Sequence, residues 1–477
     1  MVTRLKHRLK TSKPLLFLFD TRRSPVSRHK YLDQGYFNGT RTMNLQTSRA
    51  LQQKSHALIP GGSHTYAKGD DQFPELAPGF IAKGKGCHVL DADGNEYIEY
   101  AMGCRSVTLG HAYPPVIEAA YKQMLSGTNF TRPAPIETEC AEKLVSLIAG
   151  AEMVKFAKNG SDVTTAAVKL ARAYTGRDLV AVCADHPFYS VDDWFIGSTP
   201  MAAGIPADIR KMTVKFKYND IDSVKALFAQ HPGRIACVIM EAETSVAPVH
   251  NFLHDLQTIC RVEGSLFILD EMITGFRWHL GGAQTYYEIV PDLSTFGKAM
   301  GNGFAIAALA GKREIMQLGG LHHSKERVFL LSTTHGAETH SLAAAIATMR
   351  IYEEQEVVPY LYRQGERLAK GIQCAIQEWR LDEYFQIAGK PCNLTYVTRD
   401  ENKVPSQVFR TLFLQEIIKR GVIAPSLVVS FSHTDRDIDH TIDVIAESLY
   451  VYRKALDEGV EKYLVGRPVK PVFRTHN

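Results

Sequence analysis

The segment Asp270-Glu-Met-Ile-Thr-Gly-Phe-Arg277 follows the apolar run Leu266-Phe-Ile-Leu269, and 28 residues after Asp270 comes Lys298, within Leu293-Ser-Thr-Phe-Gly-Lys-Ala-Met-Gly-Asn-Gly303. The apolar run predicts a buried strand, so Asp270 stands at the end of that strand. Lys298 lies among small residues, which leave room for another group close to the main chain. This acid and this lysine decide the fold that we expect the rest of the chain to form.

Such a pair suits the binding of pyridoxal 5′-phosphate (PLP). A lysine amine forms a Schiff base with PLP, and an acid keeps the pyridine nitrogen protonated so that the ring can accept electrons. By itself a lysine beside a glycine is usually a solvated loop residue, and an acid at a strand end is usually a loop acid or a helix cap. Together, at this spacing, they predict that Lys298 and Asp270 are the catalytic residues of a PLP enzyme.

Composition excludes several other classes of protein. The chain has 477 residues, of which 45% are hydrophobic and 22% charged, as in a globular protein with one large and one smaller domain. The net charge of +4 comes from residues 1–42, which hold ten Lys or Arg against two Asp and leave 45 basic and 49 acidic residues in the remainder. Nucleic-acid binding is therefore not expected. No apolar run approaches the roughly 18 to 20 residues that cross a bilayer.

The leader and the cysteines bear on where the protein works. We expect residues 1–42 to be a disordered basic leader of a cytoplasmic protein; an organelle-targeting segment, or a true start at Met43, are the alternatives. The eight cysteines are scattered, with neither a Cys-x-x-Cys pair nor histidines at zinc spacing. They predict reduced thiols, with no disulfide framework and no metal site.

Beyond the leader, the pattern predicts an α/β fold with a large, mostly parallel sheet domain and a smaller α+β domain. Nearly continuous apolar runs at 153–157, 179–183, 235–240 and 266–269 alternate with helical patterns. Strand-like runs between residues 79 and 100 predict an antiparallel meander. The predicted divisions are an N-terminal segment that joins the small domain (43–108), the large PLP-binding domain (109–345), the C-terminal small domain (346–465) and a tail (466–477).

Further candidate residues lie at the carboxyl ends of the predicted strands, where open parallel sheets bind their ligands. Gly160 and Ser161 open the helix after the 153–157 strand, where free amides favour a phosphate; a plain helix cap is the alternative. Met272 could lie against a planar ring or fill the core. Glu241 follows the 235–240 strand and could hydrogen-bond near the cofactor or cap a turn.

Two more groups complete the set of candidates. Phe188 is our choice for stacking on the open face of the cofactor and Tyr189 the runner-up, with core packing as the alternative for both. Thr333 could reach a phosphate, within the chain or across a dimer interface, or could simply form a turn. Arg105 and Arg277 are candidates for a substrate carboxylate, although arginines more often have surface or structural roles.

Motifs along residues 45–455 together resemble one family. They are Phe80-Ile-Ala-Lys-Gly-Lys-Gly86, Leu109-Gly-His-Ala112, Lys169-Leu-Ala-Arg-Ala-Tyr-Thr-Gly176, Asp270-Glu271 with Thr274-Gly-Phe-Arg277, Gly282-Ala-Gln284, Pro291-Asp-Leu293 and Gly297-Lys298. They are similar to the motifs of class III (omega-type) PLP-dependent aminotransferases of fold type I, and most of all to those of the glutamate-1-semialdehyde 2,1-aminomutases.

The resemblance implies the PLP-dependent transferase fold type I and a homodimer with active sites at the interface. It implies the same roles for Lys298 and Asp270 as their spacing does. By position it also implies roles for other candidates: Gly160 and Ser161 would bind the phosphate, Phe188 would stack on the ring, and Thr333 would contact the phosphate of the partner subunit.

The chain departs from the aminomutase pattern in five places. The phosphate loop reads Asn159-Gly-Ser-Asp162 instead of Ser-Gly-Thr-Glu, the stacking pair reads Phe188-Tyr189 instead of Tyr-His, and Glu241-Ala242 replaces Glu-Pro. The segment after Ser190 is shorter, and residues 424–433 lack the Phe-Glu-Ala insertion that carries an acid. An aminomutase must retain a diamino intermediate, and the shorter lid and the missing acid argue against such retention.

The favoured prediction is therefore an aminotransferase that moves an amino group from a donor, such as an amino acid, to an aldehyde or ketone acceptor. The alternative is an aminomutase that exchanges amino groups within one substrate. A remote alternative is an inactive protein of this fold that acts by binding. The expected partners are small molecules and a second copy of the chain, with neither nucleic acid nor membrane.

Overall fold

The computed structural model describes residues 43–475, so the predicted leader and the last two residues of the predicted tail lie outside the described residues. The described residues belong to one compact unit. The helices are α1 (Gln46–Leu58), α2 (Met102–Arg105), α3 (Pro114–Met124), α4 (Pro135–Leu147), α5 (Gly160–Thr175), α6 (Asp193–Ile196), α7 (Ala207–Arg210), α8 (Ile221–Gln230), α9 (Phe252–Glu263), α10 (Gly282–Tyr286), α11 (Arg313–Met316), α12 (Thr339–Glu354), α13 (Val357–Glu378), α14 (Gln407–Lys419) and α15 (Asp435–Glu458). The strands are β1 (Ile81–Lys85), β2 (His88–Asp91), β3 (Glu96–Glu99), β4 (Met153–Ala157), β5 (Leu179–Cys183), β6 (Thr213–Phe216), β7 (Ile235–Met240), β8 (Leu266–Asp270), β9 (Leu293–Phe296), β10 (Ala307–Gly311), β11 (Phe385–Ala388), β12 (Thr395–Thr398) and β13 (Val422–Ile423).

The large sheet has the strand order β4-β10-β9-β8-β7-β5-β6. The pairs from β6 through β9 are parallel, and β10 runs antiparallel to both β4 and β9. Every residue of β5, β7, β8 and β9 is buried, because helices cover both faces. The prediction of a large, mostly parallel sheet is confirmed.

A second sheet joins an N-terminal part of the described chain, residues 81–99, to a C-terminal part, residues 422–423. Strands β1, β2 and β3 form the predicted antiparallel meander, and β13 adds to β3 in parallel through Val422 and Ile423. A two-stranded pair, β11 with β12, stands apart from this sheet. The C-terminal helices α13, α14 and α15 pack together beside these strands. The N-terminal meander and the C-terminal segment thus form one α+β layer.

One close approach fixes the turn at Pro391–Asn393 against helix α13. Gly365 faces this turn, and a Cβ atom there would lie only 1.8 Å from the carbonyl oxygen of Pro391. Because backbone atoms cannot yield as a side chain can, only glycine fits. The contact sets the position of Cys392 and Asn393, which reach towards the large sheet.

Membrane insertion through a helix has no basis in the described part of the chain. None of the helices within residues 43–475 combines the length and the apolar character that a bilayer crossing requires.

Replacement of Gly365 by alanine is expected to destabilise the protein, because α13 or the Pro391 turn must move. Overpacking of this kind costs about 1–3 kcal/mol, which should lower Tm by roughly 3 °C or more at a fixed scan rate. Glu366→Ala, at the exposed neighbouring position of the same helix, is the matched control. Equal Tm values for the two variants would show that the turn is not held by this contact.

Candidate active site

The carboxyl ends of three neighbouring strands bring the main candidates together. Strands β7, β8 and β9 lie side by side in parallel, and Glu241, Asp270 and Lys298 follow or end them in turn. The charges interact: Lys298 lowers the pKa of both acids, and both acids raise the pKa of Lys298, each against the larger opposing effect of burial. The structure therefore brings Lys298 together with Asp270 and Glu241, the two acids that the sequence places at strand ends.

Asp270 is held rigidly. Its Oδ1 accepts hydrogen bonds from the Met272 amide at 2.9 Å and from the Thr295 hydroxyl at 3.1 Å. Thr295 is its partner in the register between β8 and β9. Both bonds fall on one oxygen, so Oδ2 remains for a donor from outside the chain. Burial raises the pKa of Asp270 because a charged carboxylate is poorly solvated there.

Lys298 stands directly after Gly297 in a strained backbone conformation. Its φ of 42° lies in the left-handed region of backbone conformation, which residues other than glycine, asparagine and aspartate seldom adopt. Partial burial of the side chain lowers the pKa of its amine, and the nearby positive charge of Arg105 lowers it further. Residues held in such conformations cluster at functional sites. A lysine with a lowered pKa is a better nucleophile near neutral pH.

Glu241 and His186 carry buried polar atoms that no other described residue satisfies. The Glu241 amide donates to His186 Nδ1 at 3.3 Å, and the Tyr189 hydroxyl lies 2.9 Å from the same nitrogen. Glu241 Oε2 and His186 Nε2 have no hydrogen-bond partner within the described chain. Burial raises the pKa of Glu241 and lowers that of His186 to about 4, so both are expected to be neutral near pH 7.

The amino terminus of α5 borders the same space. A Cβ atom on Gly160 would lie 3.0 Å from the Met272 sulfur, and one on Gly297 would lie 2.8 Å from it. Met272 thus bridges the start of α5 and the segment that carries Lys298. Ser161 Oγ accepts from the Val191 amide at 3.0 Å, which leaves its own hydroxyl hydrogen free to donate to an anion.

The two aromatic candidates are placed differently. Phe188 is 43% exposed and touches Phe195 edge-on, with ring centroids 5.8 Å apart. Tyr189 is buried, and the charges of Glu241 and Asp270 add to the effect of burial in raising its pKa. The geometry leaves Phe188 free to cover a planar group from outside, while Tyr189 packs inside the protein. The stacking role of Phe188 stays a prediction.

Thr333 lies in an exposed turn before α12. A Cβ atom on Gly336 would lie 2.6 Å from the Thr333 hydroxyl and 3.4 Å from the carbonyl of Phe156, so the turn runs beside the end of β4. Thr333 is exposed in the single chain. Its predicted contact with a phosphate stays a prediction.

Three residues of the site were not singled out from the sequence. Thr295 is one of them, and only the β8–β9 register, which places it opposite Asp270, would have shown it. His186, two residues before the candidate Phe188, was given no role from the sequence. Glu271 accepts from the amides of Ala283 at 2.9 Å and Gln284 at 2.8 Å, so it anchors the start of α10. In the sequence, its position directly after Asp270 could have marked it as part of the site.

The cysteines are unpaired, and one group of ligand-type side chains lies between β2 and α15. All eight cysteines are free thiols. Cys87, His88 and Asp437 carry ligand-type atoms within 4.8 Å of one another. The His88 nitrogens already pair with Asp437 at 3.0 Å and Glu96 at 3.1 Å, so the group forms a chain of hydrogen bonds between β2 and α15.

The site suits PLP. Two buried polar atoms, Glu241 Oε2 and His186 Nε2, have no hydrogen-bond partner within the described chain. Asp270 accepts its hydrogen bonds through Oδ1, so its Oδ2 can pair with a pyridine nitrogen. The α5 terminus supplies amides and the Ser161 hydroxyl for a phosphate, and Met272 supplies an apolar surface beside them. Lys298 supplies an amine of lowered pKa. These groups match the charges at both ends of the cofactor and its flat ring.

Comparisons with known proteins agree with this arrangement. Residues 66–447 match the family model of class-III aminotransferases. A glutamate-1-semialdehyde 2,1-aminomutase of Acetivibrio thermocellus is 35% identical over 437 residues, covering 87% of this chain and 99% of that protein. The solved PLP internal aldimine form of the FumI protein of Sphingopyxis sp. MTA144 superposes with a TM-score of 0.79 at 27% identity, over 86% of this chain and 97% of that one. An omega-transaminase from Sphaerobacter thermophilus gives a TM-score of 0.78 at 25% identity, over 85% and 98%.

The lowered pKa of Lys298 predicts a distinctive reactivity. Only the neutral amine is methylated by formaldehyde and cyanoborohydride, so in the cofactor-free protein the labelling of Lys298 should rise at lower pH than that of Lys211, an exposed surface lysine. Peptide mass spectrometry over pH 6–10 measures both rates in one sample, and their pH profiles, not their absolute rates, are compared. Superimposable profiles would show that the pocket does not perturb Lys298.

Proposed function

Because the chain belongs to the class-III aminotransferase family of PLP-dependent enzymes, we propose that it is an aminotransferase that moves an amino group from a donor, such as an amino acid, to an aldehyde or ketone acceptor. The observation that carries the proposal is the meeting of Lys298 with Asp270 and Glu241 at the carboxyl ends of β7, β8 and β9.

The same residues define how the cofactor would be held. The amides at the start of α5 and the Ser161 hydroxyl would bind the phosphate, and Asp270 would pair with the pyridine nitrogen. Met272 and Phe188 would flank the ring. Thr333 would contact the phosphate across a homodimer interface. These roles are supported by the spare hydrogen-bonding capacity of Asp270 and Ser161 described above.

Bound PLP supplies an electron-withdrawing ring that makes the bond to a substrate hydrogen easier to break. Lys298 moves the proton: its amine, partly desolvated and therefore readily neutral, takes the proton from the substrate carbon and returns it as a general acid. Asp270, fixed by the Met272 amide and Thr295, holds a proton at the ring nitrogen. Glu241 keeps its own carboxyl proton near neutral pH because burial raises its pKa.

The choice between aminotransferase and aminomutase turns on residues 424–433, where the aminomutase pattern carries an acid. Residues 424–433 contain no acid, and Ala424, Leu427, Val428 and Val429 are fully buried there. No carboxylate in this segment could retain a diamino intermediate, which favours exchange with a separate donor. The identity with the Acetivibrio aminomutase favours the alternative, amino exchange within one substrate. Intact Lys298 and Asp270 make an inactive binding protein the weakest of the three.

The remaining features of the proposal follow from the family. Small-molecule donors and acceptors are the substrates, and a homodimer with shared active sites is proposed because Thr333 is exposed in the single chain. We also propose a cytoplasmic location, in keeping with eight unpaired thiols.

The purified holoenzyme is expected to show a visible absorbance band of the bound cofactor that is absent from Lys298→Ala. L-Glutamate alone, without any acceptor, should remove the band and release one equivalent of 2-oxoglutarate per subunit, because a transaminase completes half of its reaction with the donor. Stopped-flow absorbance and an assay for 2-oxoglutarate measure the two changes. Lys158→Ala, which removes a lysine of the turn between β4 and α5, is the control that should retain the band.

An amino-aldehyde substrate distinguishes the alternative. If the enzyme sustains turnover of glutamate-1-semialdehyde with no separate donor, the aminomutase proposal replaces the aminotransferase proposal. A protein that takes up no PLP even after reconstitution would contradict both, and leave the binding role.

A further inference from the structure

Three side chains with different ligand atoms meet where β2 reaches the start of α15. The thiol of Cys87, a ring nitrogen of His88 and a carboxylate oxygen of Asp437 all lie within 4.8 Å of one another. His88 and Asp437 are 349 residues apart along the chain, so the spacing of residues in the sequence does not reveal the group. Thiolate, imidazole and carboxylate are the three kinds of side-chain ligand that Zn²⁺ takes in proteins.

The distances between these atoms suit one shared ion. Tetrahedral Zn²⁺ binds sulfur at about 2.3 Å and nitrogen or oxygen at about 2.0–2.2 Å, which places neighbouring ligand atoms roughly 3.4–3.6 Å apart. His88 Nε2 lies 3.0 Å from Asp437 Oδ1, and the Cys87 sulfur lies within 4.8 Å of a ligand atom on each. Side-chain shifts of roughly 1.5 Å or less would therefore bring all three atoms to coordinating distances.

His88 is oriented by a carboxylate on the neighbouring strand. The register pairs His88 of β2 with Ile98 of β3, and Glu96 stands two residues before Ile98 on the same face of β3. His88 Nδ1 lies 3.1 Å from Glu96 Oε1. If Nδ1 donates its hydrogen to Glu96, the lone pair of Nε2 faces the other two ligand atoms. A histidine held in this way by a carboxylate is the common arrangement at protein metal sites.

The other two ligands are also held in place. Asp437 Oδ2 accepts from the Thr434 amide at 2.8 Å and from the Thr434 hydroxyl at 2.7 Å, a capping contact that leaves Oδ1 directed at His88. The sulfur of Cys87 is buried, and it donates to the Ser432 carbonyl over a long distance of 3.5 Å. Each ligand is thus fixed by one contact and keeps an atom for the ion.

Access and charge are also suitable. The side chain of His88 is 45% exposed, whereas that of Asp437 is 12% exposed, so an ion can enter on the His88 side and a water molecule can take the fourth position. The thiolate and the carboxylate together balance the charge of Zn²⁺ while the imidazole stays neutral. A hydrogen bond joins His88 Nε2 to Asp437 Oδ1, and the ion would take the place of its proton.

We propose that Cys87, His88 and Asp437 form a Zn²⁺ site with one open position, which ties β2 to α15. As the bonds from the ion to sulfur and nitrogen form, the thiol proton and the proton between His88 and Asp437 pass to solvent. The ion would stabilise the α+β layer by linking an N-terminal strand to a C-terminal helix. The inference goes beyond the proposed function and uses none of its residues. It departs from the expectation of no metal site, which rested on spacing along the chain.

Metal binding to the holoenzyme tests the site without any turnover. Protein freed of metal by a chelator and then dialysed should bind one equivalent of Zn²⁺ per subunit in a competition titration with a chromogenic chelator. His88→Gln and Cys87→Ser should each weaken this binding tenfold or more, because each removes a ligand. Glu96→Gln should weaken it roughly tenfold, because it releases the His88 ring while leaving all three ligands.

Co²⁺ reports the identity of the ligands. In a tetrahedral site it absorbs towards the red end of the visible spectrum, away from the cofactor band, and a thiolate ligand adds a charge-transfer band in the near ultraviolet. The difference between Co²⁺-loaded and metal-free holoenzyme should show both features in the wild type. The charge-transfer band should be absent from Cys87→Ser.

Cys374→Ser is the matched control, since Cys374 is an exposed free thiol on α13 and should have no part in the site. A hundredfold excess of Zn²⁺ over Kd should raise the Tm of the wild type and of this control by about 3 °C. His88→Gln should show no such rise. Retention of the cofactor absorbance band by each variant reports that it is folded.

The opposite results are equally clear. Equal Zn²⁺ affinity in the wild type and in Cys87→Ser, or an octahedral Co²⁺ spectrum with no thiolate band, would show adventitious surface binding only and would overturn the site. Loss of the single tight equivalent in both Cys87→Ser and His88→Gln would support it. That support would hold even if L-glutamate failed to convert the cofactor, because no measurement here depends on the aminotransferase reaction.

Discussion

The desolvation of charge around Lys298 is the constraint on which the rest of the site depends. Glu241, Asp270 and Lys298 meet at three adjacent strand ends, where burial raises the pKa of the acids and lowers that of the amine. Each group is thereby driven towards its neutral form, and each can be returned to its charged form by a suitable partner. The site therefore suits a ligand with two features. A protonated ring nitrogen would pair with Asp270, and an electrophilic carbon would react with the amine of Lys298.

Packing and hydrogen bonds in the surrounding layers fix the positions of Asp270 and Lys298. The β8–β9 register sets Thr295 against Asp270, and Met272 fills the gap between Gly160 and Gly297. Further out, Gly365 lets the Pro391 turn approach α13 and so delivers Asn393 to its position. A chain of close contacts therefore runs from a peripheral helix of the small layer to the edge of the pocket.

Much of this could be predicted from the sequence, and the exceptions have physical causes. Strands β5, β7 and β8 are continuous apolar runs and were found, whereas β9 and β10 are short and rich in Ser, Thr, Ala and Gly, and are strands because their neighbours pair with them. Asp270 and Glu241 stand at strand ends, as expected from the continuous apolar runs before them, whereas the strand before Lys298, β9, was not predicted. The left-handed turn at residues 101–105, all of which have φ between 41° and 71°, was hidden, because Ala, Met and Cys have no local tendency to form it.

The strain in this turn affects which substitutions the protein would accept at residues 101–105. Substitution to glycine at position 101, 102 or 104 would remove this strain and so raise the free energy of unfolding, since glycine adopts positive φ without a steric penalty. Selection for heat resistance alone would therefore favour glycine there and give the backbone new freedom next to the pocket. The residues present keep the backbone fixed at this point, and the strain is the cost of that rigidity.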